Sequence, residues 1–574
     1  MPAFQQLNTN KSRLSKKSVD DSIEAFKKVN IQDIATDTKQ EDSVETYLGN
    51  RGYCVYKKSL SPEQTKLIRE KLMAKPKVAS GMVNPASVPV FPIFMESANK
   101  FYIPRFFGIQ HFGLPKEVKI SMGADIDIEF NGDVRDYQHI IINSYLSAIG
   151  FKPRNNSADE SDSVSGANSA LIEVGCGRGK TVMGLKIISI IKKKTIIIVH
   201  KEFLKNQWVE RIGQFLPTAR VGSIQGQTID VDDKDIVIAM LQSLSQKDYP
   251  VELFQQFGLL IIDETHHLSS ECFIRALQKI ITPYGLGLSA TMERKDGLTW
   301  VFKSFLGEIA YREDRAKDDD VLVKAIQYRV DDAEHNEVEQ DYRGNVKYST
   351  MISKLCQYNH RSEFIITVIE TEFLVNPEQQ MILLSHNKSL LTYIFKAVEH
   401  RKITSVGYYV GGMKEPDLKK SETKRLILAT YAMAAEALDI KSLTTLILAT
   451  PKTDIVQASG RILREKHDQP LIIDIVDEHD VFQGQFQKRK RYYYDNNYRI
   501  ITTSSEQYSS YAYAKTKATN TNTNTKDLDN SLWQPLVKSV RRSRNSKNVN
   551  LNANTNDLSA PKCLINPFLL AAAL

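Results

Sequence analysis

Seven short runs in this chain are apolar through their middles rather than at every second position, and few folds accept that pattern. TIIIVH (195–200), DIVIAM (235–240) and LLIIDE (259–264) form one series. MILLSH (381–386), RLILAT (425–430), TTLILAT (444–450) and PLIIDIVD (470–477) form another. A strand with one wet face alternates apolar and polar residues, so these runs predict strands covered on both faces, as in a parallel sheet. Amphipathic stretches of helix length lie between them, which predicts α/β architecture with two doubly wound domains in tandem.

With 574 residues the chain exceeds what one core usually serves, and three or four domains are expected. Residues 1–45 are polar and read as a flexible N-terminus. Residues 46–125 read as a small accessory domain, in which Ser61 caps a helix that begins at Pro62, with Glu63 and Gln64 in its first turn. The two α/β domains are placed at 126–315 and 316–502, with REDRAKDDD (312–320) as the hinge. From 503 to 574 the composition turns to Ser, Thr, Asn and Lys, which predicts a disordered, low-complexity basic tail.

The net charge of +8 suits a polyanionic partner without requiring one. Five scattered cysteines with no CxxC spacing argue against a zinc site or a disulfide framework and point to a reducing compartment. No apolar run reaches the roughly 18 residues of a membrane span, and the N-terminus lacks a signal-peptide core, so a soluble intracellular protein is expected.

Four segments carry chemistry. GCGRGKT (175–181) follows strand-like LIEV and precedes helix-like TVMGLKIISII, the setting a phosphate loop needs. Gly175, Cys176, Gly177, Arg178 and Gly179 would wrap phosphates with backbone N–H groups. Lys180 would place a cation on the β- and γ-phosphates, and Thr181 a hydroxyl on Mg2+. Val174 stands where the strict GxxxxGK[ST] pattern has its first glycine.

DETHH (263–267) closes an apolar run, which puts Asp263 and Glu264 at a strand's C-terminal edge, where α/β sites lie. Asp263 would hold Mg2+ and Glu264 would polarise the attacking water. The other reading, a metal cluster of Asp263, Glu264, His266 and His267, conflicts with the i, i+4 histidine spacing of zinc hydrolase helices. In QASGRILR (457–464), helical spacing puts Gln457, Gly460, Arg461 and Arg464 on one face, so both arginines could reach a triphosphate. QKRKRYYY (487–494) interleaves cations with aromatics, as either a grip on a strand or a solvated charge run.

The phosphate loop, the DETH box, SAT (289–291) and QASGRILR, in this order, resemble the superfamily 2 DExH-box helicases, on the XPB/Rad25-like branch. Within it the chain looks most like the transcript-release DNA helicases of poxviruses and other large DNA viruses, particularly in YVGGMK (409–414) and ALDIKSLTTLILATP (437–451). The resemblance covers about residues 131–500. It implies two tandem RecA-like domains that share one ATP and its Mg2+ across a cleft, with Lys180, Asp263, Glu264, Arg461 and Arg464 catalytic.

It further implies that VRDYQ (134–138) reads the adenine through Gln138, supported by Arg135 and Tyr137. His200, Lys201, Gln207, Gln242 and Thr430 would touch the nucleic-acid backbone. His266, Ser289 and Thr291 would couple ATP state to closure, and Asp439 and Gln457 would lie near the nucleotide. The family's Arg-Glu-Asp element has its central charge reversed here in Arg294-Lys295-Asp296, and Ala437 stands where a glycine is common.

The expected function is an ATP-driven helicase or translocase, on DNA first and RNA second, monomeric, near the transcription machinery. By the same resemblance its place is the virion or a viral factory in the host cytoplasm. A GTPase switch is disfavoured because 386–390 lacks the Asp of NKxD. A non-catalytic binding module is disfavoured because every catalytic position is filled.

Overall fold

All seven apolar runs are strands. The computed structural model describes residues 44–77, 89–152, 165–175, 177–268, 271–294, 296–313, 320–436, 440–463, 467–521 and 532–536. Within them the first lobe holds an eight-stranded sheet in the order Thr228–Asp230, Val221–Gln225, Ile236–Met240, Thr195–Val199, Leu259–Asp263, Tyr284–Ser289, Ser169–Glu173, Ile309–Arg312. Its neighbours are parallel except for the outermost hairpin.

The second lobe repeats the plan: Val406–Tyr409, Leu426–Thr430, Met381–Ser385, Thr445–Leu448, Leu471–Asp477, Leu322–Tyr328, Arg499–Ser504, Gln534–Pro535. Only the last strand is antiparallel. Strands Thr195–Val199, Ile236–Met240, Leu259–Asp263 and Met381–Ser385 are buried at every residue, which is why they lack alternation. Parallel order sends the strand C-termini to one edge, and the phosphate loop, the DETH box and SAT all follow strands ending there.

The accessory module begins as its sequence suggests. Ser61 caps helix Pro62–Lys71, its hydroxyl accepting from Gln64 N (3.2 Å) while Ser61 N donates to Gln64 Oε1 (2.9 Å). It is less separate than its composition implies, because Ile274, Leu298 and Val301 of the first lobe share its core with Tyr53, Phe101 and Phe107. Arg105 fastens the joint: buried, it donates from Nη2 to Thr282 O (2.5 Å) and from Nη1 to Pro283 O (3.3 Å). Burial pulls its pKa down to about 10. Arg105→Ala is expected to lower stability by about 2–3 kcal/mol, the worth of hydrogen bonds from a charged donor. Differential scanning calorimetry checks this, and an unchanged melting profile would show that the guanidinium anchors nothing.

The second lobe does not end at 502. Arg499–Ser504 is a sheet strand, and helix Ser505–Thr521 follows it onto helix Asn359–Val375. Tyr508 and Tyr511 are buried there, and Tyr508 OH donates to Glu372 Oε1 (3.0 Å). Composition hid this helix: Ser, Thr and Lys dominate it, and its aromatic anchors are sparse but lie at helical i, i+3 spacing.

Candidate nucleotide and nucleic-acid site

Strand Ser169–Glu173 leads into the phosphate loop, and helix Lys180–Ile191 leaves it. Gly177 and Gly179 both have φ of +79°, the left-handed region, and a Cβ on Gly179 would stand 2.4 Å from Gln138 Nε2. Gln138 is thereby a clamp on the loop: its Nε2 donates to Arg178 O (3.0 Å), Tyr137 OH donates to the same oxygen (3.3 Å), and its Oε1 accepts from Arg135 N (2.9 Å). The Arg178 guanidinium lies 4.0 Å from the centroid of the Tyr137 ring. The helix N-terminus, Lys180 and the left-handed glycines form a cradle suited to a triphosphate.

Facing the loop, Lys180 Nζ lies 3.6 Å from Glu264 Oε1. Glu264 adopts φ of +52°, strained for a residue with a side chain, and such strain gathers at functional sites. Asp263, 8% exposed, accepts from Trp208 Nε1 (2.9 Å) and from Glu264 N (3.0 Å). Burial, then the adjacent Glu264 charge, pushes its pKa up to about 6. Thr181 sits half-buried in the first helical turn.

Among the described residues no group of three or more His, Cys, Asp or Glu is arranged to hold an ion. Mg2+ fits the site nonetheless, because it takes one or two protein oxygens and draws its other ligands from phosphate and water.

A chain of contacts runs from Glu264 outward. His266 Nδ1 is 2.9 Å from Ser289 Oγ and 3.4 Å from Glu264 Oε2, and Ser289 Oγ lies 2.9 Å from Thr291 O. Burial lowers the His266 pKa, against opposing pulls from Glu264 and, in the second lobe, Asp454. Arg294 pairs with Asp296 and also donates to His266 O, so this end of the Arg-Lys-Asp element is tied to the DETH loop. Lys295 is outside the described residues.

Comparison with known proteins shows the family. Residues 131–294 match the family described as type III restriction enzyme, res subunit. A protein of Acanthamoeba polyphaga mimivirus, described as an ATP-dependent RNA helicase, is 31% identical over 80% of this chain and 87% of its own length. The chain belongs to the superfamily 2 helicases of large DNA viruses. A helicase of Invertebrate iridescent virus 6 is 25% identical over 68% of this chain and 87% of its own length. An African swine fever virus protein described as an ATP-dependent RNA helicase is 25% identical over 59% and 71%. The solved structure of S. cerevisiae Dbp5 bound to RNA and ADP BeF3 covers 72% of this chain at 11% identity, with a TM-score of 0.44, too distant to assign a substrate.

The helicase departs from its sequence reading at the second lobe's arginine motif. The helix expected to carry Gln457, Gly460, Arg461 and Arg464 on one face spans only Val456–Ser459, and Gly460 ends it. Gln457 lies on that short helix, half-buried, and Arg461 is buried on the turn beyond it. Arg464, Asp439 and Cys176 lie outside the described residues.

Of the residues expected to touch a nucleic-acid backbone, His200 has a buried ring whose pKa is pulled down to about 4 by desolvation, so at neutral pH it would bring no charge to a phosphate. Gln242 Nε2 donates to His200 O (2.6 Å), stitching two strand ends together. Lys201 immediately precedes helix Glu202–Phe215 and Gln207 lies in its second turn, both half-buried, and Thr430 is half-buried at its strand's end.

The sequence reading missed three residues. Trp208 orients the Asp263 carboxylate. Glu173 ties three motifs, its Oε1 accepting from Met292 N (3.0 Å) and its Oε2 from Arg312 Nε (2.7 Å). Glu313, inside the supposed hinge, accepts from Gly175 N (3.1 Å) and pairs with Arg178. Glu173 and Glu313 stood inside the quoted runs LIEV and REDRAKDDD, which carry no sign of these distant partners, whereas for Trp208 the available signal was its indole N–H, since a buried indole N–H usually finds an acceptor.

Trp208→Phe keeps the bulk and removes that donor. The apparent Mg2+ requirement of the ATPase is expected to rise roughly tenfold, the scale on which carboxylate-orienting partners act. A Mg2+ titration at saturating ATP checks it, and an unchanged midpoint would sink the positioning role.

Proposed function

We propose that this helicase uses ATP to move along DNA and part strands in viral transcription, including transcript release. The observation that carries the reading is the Lys180–Glu264 contact, a phosphate-binding cation beside a carboxylate held in strained backbone. When ATP enters, the Lys180 ammonium turns from Glu264 to the β- and γ-phosphate oxygens, and the freed carboxylate accepts a proton from the attacking water. Thr181 and Asp263 would hold Mg2+, which supplies positive charge against the phosphates.

Arg461 and Arg464 of the second lobe would meet the charge that develops on the transferred phosphoryl group as the lobes close. Loss of the γ-phosphate is relayed from Glu264 through Ser289 and His266 to the 289–296 segment. Alternating lobe positions then advance the strand, provided that nucleic acid binds the open and closed forms unequally.

A restriction-enzyme subunit description for residues 131–294 favours DNA, whereas the RNA-helicase descriptions of the mimivirus and African swine fever virus relatives favour RNA. ATPase rates with single-stranded DNA, duplex DNA and RNA separate the two, followed by strand displacement on 3′- and 5′-tailed duplexes. Stimulation by RNA alone would overturn the DNA reading.

A further inference from the structure

The accessory module presents a second surface away from the nucleotide site. Its antiparallel sheet runs Thr46–Gly49, Gly52–Tyr56, Lys100–Ile103, Met95–Glu96. Alternation sends Tyr53, Val55, Phe101 and Ile103 into the shared core and leaves Tyr47, Tyr56, Lys100 and Tyr102 on the opposite face. Register brings these together: Tyr56 is opposite Lys100, and Tyr47 and Tyr102 both flank Cys54.

Lys100 Nζ donates to Tyr47 OH (3.0 Å) and lies 5.0 Å from the Tyr47 ring centroid and 4.5 Å from that of Tyr56; the two rings are 5.9 Å apart. Arg51 stands 5.5 Å over Tyr102, and Lys119 5.1 Å from Tyr47. All three tyrosines are half-exposed, and Arg51 and Lys119 are exposed.

We propose that this face binds a single nucleic-acid strand, outside the cleft between the lobes. Cations interleaved with half-exposed rings are what a strand needs, charge for its phosphates and π-faces for its bases. Arg51 extends the platform rather than blocking it, because a guanidinium plane also stacks on bases. An acidic peptide would satisfy the cations and leave the rings unused. Among the described residues the ion pairs at this face are Lys58–Glu45 and Lys119–Glu117, so Arg51, Lys58, Lys100 and Lys119 outnumber the acidic groups paired with them. Arg105 and the shared core fix the module to the first lobe, so a strand held here moves with that lobe. The inference takes from the proposed function only that a strand is present, and it needs no ATP chemistry.

The test uses the full-length protein without nucleotide and fluorescein-labelled dT20, rU20, an abasic 20-mer and a 20-base-pair duplex, read by anisotropy. Tyr47→Ala/Tyr102→Ala is expected to weaken dT20 or rU20 binding roughly tenfold while leaving the abasic strand nearly unchanged, because stacking needs bases. The relative losses on dT20 and rU20 tell which sugar the face prefers. Lys119→Glu/Arg51→Glu, at exposed positions that folding tolerates, is expected to weaken all single strands and to flatten the salt dependence.

Strand-independent ATPase should stay at the wild-type rate in both variants, which separates this surface from the motor site. Unchanged single-strand affinity in the charge-reversed variant, or a loss confined to the duplex, would overturn the proposal. Equal losses on the abasic and base-bearing strands in the tyrosine variant would overturn the stacking platform.

Discussion

Glu264→Gln will bind ATP about as tightly as the wild type and turn it over at least about 10²-fold more slowly, the lower end of what a positioned general base contributes. The amide keeps the shape of the carboxylate and can still meet Ser289 Oγ, 3.4 Å from Oε2, but it cannot take the proton of the attacking water. The left-handed backbone at φ +52° is no worse for Gln than for Glu, so the variant should fold normally.

Lys180→Ala should fail earlier. It removes the cation from the phosphate loop and leaves Glu264 without the charge 3.6 Å away, so both ATP affinity and turnover collapse. The pair divides the site into a binding half and a chemical half, and a fluorescent ATP analogue together with phosphate release measures each. Wild-type turnover in either variant would remove these residues from the site. Equal loss of binding in both would mean that Glu264 holds nucleotide rather than water.

What the sequence made legible was set by how local each signal is. Strands buried on both faces have a one-dimensional signature, and all seven were found. The phosphate loop and DETH box sit at strand ends, so their grouping followed from parallel order alone. Contacts between distant segments had no such signature: Glu173 reaches Met292 and Arg312, and Glu313 reaches back to Gly175, across more than a hundred residues.

The arginine motif shows the converse error. Its i, i+3, i+4, i+7 spacing looked helical over eight residues, but Gly460 ends the helix after four. A periodic pattern is evidence for a face only where the helix persists, and Gly weakens a helix interior by about 1 kcal/mol relative to Ala. The run QKRKRYYY misled for another reason, since periodicity alone did not tell which of its cations turn inward.

Arg489 is the inward one, and its removal should strongly destabilise the second lobe. It lies on helix Asp480–Asp495, 1% exposed, and grips Asp474 with two bonds, from Nε (2.8 Å) and Nη2 (2.9 Å). Tyr493 OH donates to the same carboxylate (2.9 Å), and Arg489 Nη1 donates to Lys452 O (2.7 Å). That last bond matters for function, because Lys452 opens the loop that leads to the short helix and Arg461. The same long helix holds the short one through Tyr492 OH and Ser459 Oγ, 2.7 Å apart.

Arg489→Met would leave the fully buried Asp474 charge with Tyr493 as its remaining bonded side chain, a loss of about 3–5 kcal/mol. For a lobe of this size that is a fall in Tm of roughly 10 °C. The accompanying expectation is a lower kcat with little change in ATP affinity, since the phosphate loop is untouched while the arginine turn loosens. Removing the orphaned charge as well, in Arg489→Met/Asp474→Leu, should restore much of the stability but not the kcat, because the bond to Lys452 is still missing. If the double variant regains full turnover, the pair serves stability alone and the turn bearing Arg461 is held by something else.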